Sequence, residues 1–213
     1  MKLNNKKMIL TGLFTLLPAV YGLMRWNDLP DQMPFHWNMQ GAVDGYCSKA
    51  FAVFGLPLIM FGIHILCGVA TALDPKNKKQ NAKMVGLIYY IAPVICIAVS
   101  AAMYVYALSG KNYFTTDTPL LLVGVMFMVV GNYMPKCTPS YTIGIKLPWT
   151  LDDEDTWYAT HRFAGKLWFA AGALVLVCAL LPTPYDMWVS LPLMLVAAFV
   201  PMVYSYRYYK NKQ

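Results

Sequence analysis

Histidine is the side chain that most readily handles protons or metals near neutral pH, and this chain has three: His36, His64 and His161. His36 lies in LPDQMPFHWNMQGAVDGYCSK, residues 29–49, close in sequence to Asp31, Asn38, Asp44 and Lys49. His161 follows an acidic run, Asp152, Asp153, Glu154 and Asp155. Such residues can bind a metal, move a proton or recognise a polar ligand. A catalytic zinc commonly takes about three protein ligands, and no His-Glu-x-x-His or comparable pattern supplies them. His36 with Asp31 or Asp44 would make only a weak surface metal site. The five cysteines form neither a zinc ribbon nor a Cys-x-x-Cys pair. The expectation is a protein that is not an enzyme, with no metal and no cofactor, and with polar recognition as its chemistry.

The elements that hold these residues follow from composition. Hydrophobic residues make up 58% of the 213 residues and charged residues 13%, far less charge than a typical soluble domain carries. The net charge of +7 would suggest a nucleic-acid partner in a soluble protein. Here the basic residues sit in clusters between apolar runs, so topology accounts for them and no direct nucleic-acid contact is expected. The apolar runs cover 8–24, 50–73, 84–108, 119–134, 167–181 and 187–206. A spanning helix needs about 20 mostly apolar residues, and lone strands cannot satisfy their backbone in lipid. The short fifth run is extended back through Phe163 to Lys166, with Lys166 snorkelling to the interface. The first run has a basic start but no small-residue cleavage site, so it reads as an uncleaved helix.

Lysine and arginine set the orientation. Alternate polar segments hold 14 of the 17, and the others only Arg25, Lys49 and Lys111. Both termini are therefore predicted to be cytoplasmic, residues 25–49 to be outside, and residues 135–166 to be inside. His36 and His161 then lie on opposite sides of a hydrocarbon core ~30 Å thick and cannot share a metal. Cys47 alone faces the oxidising side, so no intramolecular disulfide is expected there. The fold class predicted is an all-α polytopic membrane protein with six transmembrane helices. It reads as one membrane domain, 1–213, made of an amino-terminal module (1–73) and a four-helix remainder (74–213).

Two segments exceed what hydropathy requires. In the first, Pro30 and Pro34 fix an extended entry, and Gly41 and the Asp44-Gly45 pair signal turns. It is either a folded lid, with His36 and Asn38 bonded to loop backbone, or a recognition surface on which His36, Asn38 and Asp44 face a ligand. In the second, residues 131–168, Pro135 and Pro139 end a helix, and Thr150 with Asp153 suits a capping box. The acidic run suits a first turn. Trp157, His161, Ala164 and Trp168 share one helical face, which can lie along the membrane surface. Lys146, Trp149 and His161 are the alternative, a docking surface. His64, mid-span, is a functional candidate, or a neutral histidine bonded to Tyr89, Tyr90 or Ser100 of a neighbouring helix.

Both segments resemble the SdpI family of bacterial integral membrane proteins, named for an immunity protein against a secreted toxin peptide. The outer loop is similar to that family's amino-terminal module in Leu29-Pro30, Pro34, His36, Asn38, Gly41, Asp44-Gly45 and Ser48-Lys49. The second signature is similar in Gly131-Asn132, Pro135, Gly144-Ile145, Pro148-Trp149-Thr150-Leu151, Trp157, Thr160-His161 and Gly165. Three positions depart from it: Ser140 where the family often has Asn, Lys146 for Arg, and Leu147 for Thr. Lysine lacks the planar two-pronged grip of arginine.

The resemblance implies a multi-pass protein of the bacterial plasma membrane that protects against a peptide toxin by binding and signals inward. It also implies an outer ligand site over Asp31, His36, Asn38, Gly41, Asp44, Gly45 and Lys49. A cytoplasmic motif over Asn132, Gly144, Lys146, Trp149, Thr150, Trp157, His161 and Gly165 would either report occupancy to a cytoplasmic regulatory protein or merely stabilise the fold. The partners expected are thus the lipid bilayer, an extracellular peptide toxin and that regulator. The competing readings are a small-solute or ion transporter, with kinks at Pro57, Pro93, Pro192 and Pro201, and a membrane-embedded hydrolase. Asn132 is the one strongly polar amide near the inner end of a span, and the apolar runs contain no acid.

Overall fold

The computed structural model describes residues 4–111 and 117–213. Six helices among them are long and apolar enough to cross a membrane: Asn5–Met24, Phe51–Leu73, Ala82–Ser109, Thr118–Lys136, Glu154–Cys178 and Tyr185–Lys210. Leu66, Val177 and Trp188 project from them largely exposed, as lipid-facing side chains do. The chain is a multi-pass membrane protein in contact with the bilayer.

The first span is not one helix. It divides into α1 (Asn5–Phe14) and α2 (Leu17–Met24). Pro18 explains the break, because it has no N–H and its ring crowds the carbonyl one turn back, at Phe14. The Thr15 hydroxyl closes the gap by donating to the Gly12 carbonyl at 2.6 Å. The third helix, α3 (Leu56–Leu73), follows a wide π-type turn at Phe51–Gly55. Pro57 sits in its first turn, where proline is tolerated. Pro93 lies inside α4 (Ala82–Ser109), and Pro192 and Pro201 inside α8 (Tyr185–Lys210).

The described residues form two compact units. One contains residues 4–69 and 87–111: α1, α2, most of α3 and most of α4. It also carries an antiparallel hairpin, β1 (Gln32–Trp37) and β2 (Val43–Ser48), the only strands among the described residues. Met33 from β1 is fully buried with Leu29, Ala52, Val53, Met103 and Tyr104. That core anchors the hairpin to the helices.

The second unit contains residues 70–86 and 117–213. Its helices are α5 (Asp117–Tyr133), short α6 (Pro148–Asp152), α7 (Glu154–Cys178) and α8. Helices α5 and α7 meet backbone to backbone. A Cβ on Gly131 would stand 2.6 Å from the Phe169 nitrogen and 2.8 Å from the Gly165 carbonyl, and one on Gly172 would stand 2.6 Å from the Gly124 carbonyl. Small residues permit such approach where lipid supplies no hydrophobic drive for helix association. It leaves no room for a polar pathway between these two helices.

The fifth span differs from the sequence expectation. Residues 154–162 are not a surface helix leading into it but its first turns, in one continuous α7 of 25 residues. The face of Trp157, His161 and Ala164 is fully buried, so it has no freedom to lie on a membrane surface. Asp186, just outside the sixth apolar run, is fully buried in the first turn of α8, where the helix dipole favours negative charge.

Candidate functional site

The hairpin uses nearly all of its motif residues to fold itself. The chain does not turn at Asp44-Gly45, as its sequence suggests. It turns at Asn38–Ala42, where Gly41 takes φ +75° and the Asn38 side-chain oxygen accepts from Gln40 N and Ala42 N, each at 3.0 Å. An Asn carbonyl that imitates a backbone acceptor outcompetes the Asp-Gly signal here. Asp44 and Gly45 instead lie in β2, opposite His36, at an irregular step of the ladder. His36 Nδ1 and Asp44 Oδ1 are 2.5 Å apart across the strands. Gly45 makes room for this pair, since a Cβ there would stand 2.9 Å from the His36 Cβ.

At the base of the hairpin, Lys49 N donates to the Asp31 carbonyl at 2.9 Å. Lys49 Nζ reaches Asp31 Oδ1 at 3.2 Å and the Trp26 carbonyl at 3.3 Å, and it lies over the Trp26 ring. Ser48 accepts from Phe51 N and so starts the next helix. What remains open is chemically mixed. The side chains of His36 and Asp44 are 69% and 43% exposed, and Phe35, Met39 and Tyr46 are exposed beside them.

The 131–168 segment behaves differently. Its loop is clamped from both sides. Asp74 Oδ2 accepts from Ser140 Oγ (2.6 Å), Tyr141 N (2.8 Å), Thr142 N (3.1 Å) and Thr142 Oγ1 (3.0 Å). Gln80 reads the Thr138 backbone in both directions, with Nε2 donating to its carbonyl and Oε1 accepting from its N–H, each at 3.0 Å. From α7, Trp157 Nε1 donates to the Cys137 carbonyl at 2.9 Å. His161 Nδ1 lies 2.7 Å from the Trp157 carbonyl, while its Nε2 accepts from Ile145 N at 2.9 Å. Those two bonds require a neutral ring with its proton on Nδ1. Gly144, at φ +113°, passes over the stacked Trp157 and His161 rings, where a Cβ would stand 2.5 Å from His161 Nε2.

Burial alone would raise the Asp74 carboxyl, but its hydrogen bonds outweigh that and hold it below the ordinary carboxylate range. Burial pushes the Cys137 thiol up to about 12, so it fills space as a thiol. Asp74 and Gln80 were not singled out by the sequence. The one signal was an Asp-Pro step at the end of an apolar run.

Capping also differs from expectation. Thr150 does not cap the long helix. It sits inside α6, its hydroxyl accepting from Leu147 N at 2.9 Å and donating to the Ile145 carbonyl at 2.8 Å. Asp153 is the cap of α7, accepting from Thr156 N at 2.8 Å. Hydrogen bonds from Lys212 and Thr156 lower the Asp153 carboxyl to about 2. Trp149 Nε1 donates to Ser205 Oγ at 2.8 Å, and Gly165 lies against Pro135 and Gly131. Of the residues expected to form a docking surface, His161 is fully buried and Trp149 half-buried, while Lys146 is exposed; Asn132 is exposed too.

His64 is fully buried in α3, but its partners lie on α1 rather than on α4. Its Nε2 is 3.0 Å from the Met8 carbonyl and 3.3 Å from Thr11 Oγ1. This bond crosses a span whose mean polarity is low, and it fixes α1 against α3. Among the described residues no three His, Cys, Asp or Glu side chains converge as a metal site.

The profile of the SdpI/YfhL protein family matches residues 136–205, and that of a domain of unknown function, DUF1648, matches residues 13–61. The first covers the clamped loop with α6, α7 and most of α8, and the second covers the hairpin and its flanking helices. The chain is 24% identical over 214 residues to "Immunity protein SdpI" of Bacillus subtilis (strain 168), covering 97% of each. No solved structure gives a significant match. With six candidate spans and a likeness to an immunity protein along its full length, the chain is a multi-pass bacterial membrane protein whose residues 136–205 resemble the SdpI/YfhL family.

Proposed function

We propose that this chain is an integral membrane immunity protein that protects a bacterium from a secreted peptide toxin by binding it. The observation that carries the reading is the end-to-end likeness to an immunity protein, 97% of each chain, with both motif segments present in order. Immunity by binding needs no catalytic group, only that the bound peptide is kept from its harmful state. With both termini cytoplasmic, as the 14-to-3 charge bias argues, the hairpin is the part that meets an extracellular peptide. Its exposed face suits an amphipathic one, joining the His36–Asp44 pair to Phe35 and Tyr46. On the other side, Lys146 stands on an exposed position of an otherwise clamped loop, and it is the group open to a cytoplasmic regulatory protein.

The test is growth. Toxin-sensitive bacteria carrying the chain are challenged with the peptide against which the SdpI relative gives immunity, beside His36→Ala at equal membrane abundance. Protection by the wild type and its loss in the variant are expected. No protection by the wild type would reject this toxin as the ligand.

A further inference from the structure

The helix pair α7 and α8 carries a second surface that the hairpin reading leaves unused. The pair is antiparallel, with Trp168 of α7 bonded to the Ala197 carbonyl of α8 at 2.8 Å and Trp149 of the preceding α6 bonded to Ser205 near the other end of α8. Near the start of α7 and the end of α8 it opens into a groove of about 480 Å³. Arg162 and Lys166 line it from α7, one turn apart, with Tyr204 and Tyr208 from α8. A second depression of about 440 Å³ shares Phe163, Tyr204 and Tyr208 and adds Arg207. The Phe163 and Tyr204 rings stack at 4.3 Å, giving the groove a flat apolar floor.

The cations around this floor are unmatched. Among the described residues Arg162, Lys166 and Arg207 form no ion pair. Three acids around the start of α7 are already engaged: Lys212 pairs with Asp153 at 2.8 Å and with Asp155 at 3.0 Å, and Tyr209 donates to Asp152 at 2.9 Å. Two exposed cations without protein counter-ions, Arg162 and Lys166, beside an aromatic floor, suit an anion with an apolar tail. A basic pocket between membrane helices at the cytoplasmic side matches such a headgroup. Arginine adds paired donors in the geometry that phosphate oxygens accept. A soluble phosphate would satisfy the charge but leave the aromatic floor uncovered.

We propose that this groove binds the phosphate headgroup of an anionic phospholipid, with Arg162 and Lys166 at the phosphate and Phe163, Tyr204 and Tyr208 beneath its glycerol and upper acyl chain. The site is separate from the toxin reading and stands or falls without it.

The experiment uses the full-length protein in a neutral detergent, offered phosphatidylglycerol or phosphatidylcholine with the same acyl chains. Retained lipid is counted by native mass spectrometry. Phosphatidylglycerol is expected to be retained preferentially, and Arg162→Gln and Lys166→Gln to weaken that preference about fivefold each, the scale of one basic residue near an anionic surface. Lys83→Gln, a basic change elsewhere, leaves it unaltered. Arg162→Lys keeps the charge and loses only the paired donors, so it should weaken the preference no more than Gln does; an unaltered preference in Arg162→Gln would overturn the assignment. So would equal retention of the two lipids, or equal loss in Lys83→Gln. Excess inorganic phosphate that strips the lipid completely would place the affinity in phosphate alone and overturn the lipid assignment.

Discussion

The hairpin at 29–49 and the clamped loop at 131–168 are both motif-dense and both polar against an apolar chain, yet they spend their motif residues differently. In the hairpin, Asn38, Gly41, Gly45 and Lys49 make the turn and base, which leaves His36 and Asp44 paired but open to solvent. In the second segment, Trp157, His161 and Thr150 are buried and each holds backbone of the loop. A motif therefore marks where the chain needs a particular residue, not whether the need is contact or scaffold. Burial separates the two. Mutations in the loop should act through stability, and those at His36 should act with stability almost intact.

The strongest way to break this comparison is Trp157→Ala. The ring is fully buried, stacks on His161 and donates to the Cys137 carbonyl. Losing it should destabilise the protein by about 3–5 kcal/mol, read as a large fall in thermal unfolding temperature in detergent. A small effect would mean that the loop is not held by α7.

Asp74→Asn comes next. One carboxylate oxygen takes four hydrogen bonds from residues 140–142, so neutralising it should cost about 1–3 kcal/mol. The pH dependence gives a sharper reading. The folded-state carboxyl lies below its ordinary value, so its stabilisation is fully present above about pH 4, the unfolded-state value, and is lost as pH falls through the folded one. Wild type should lose stability on acidification below pH ~4 more steeply than Asp74→Asn. Parallel curves would remove Asp74 from the clamp.

Much of this architecture was legible in the chain, and the failures have physical causes. The six spans follow from hydropathy because lipid leaves the backbone few alternatives. The break at Thr15–Leu16 was carried by Pro18, which a hydropathy window averages away. The Asp44-Gly45 turn signal lost to Asn38, whose side chain satisfies two backbone donors at once. The clamp around residues 138–142 was invisible because its acceptors, Asp74 and Gln80, lie some 60 residues earlier in the chain, and local pattern carries no information on such pairings. His64 was correctly placed in a span, but which neighbouring helix bonded it was a tertiary fact.

A smaller effect should come from Leu147→Thr. Leu147 occupies the N-cap of α6 without a side-chain bond, at a position where the family resemblance expects Thr. A hydroxyl there can accept from Thr150 N, which should stabilise the loop by about 0.5–1 kcal/mol, seen as a modest rise in unfolding temperature. No change would mean that the half-buried Leu147 side chain contributes as much through packing as a cap would.

The smallest effect on stability and the most informative contrast belong to His36→Ala. The His36–Asp44 pair is exposed on both sides, and exposed ion pairs are worth about 0–1 kcal/mol. The hairpin keeps its turn at Asn38, its Gly41 conformation and its Lys49 base without it. Unfolding temperature and membrane abundance should therefore match wild type, while protection in the growth assay falls. Loss of protection with unchanged stability would make the pair a contact surface, because nothing else in the fold depends on it. A loss that tracks falling abundance would instead make the hairpin scaffold like the loop, and the contrast between the two segments would collapse. Asp44→Ala completes the argument. If the pair acts as a unit, the single and double variants should lose protection equally; if each residue touches the peptide separately, their effects should add.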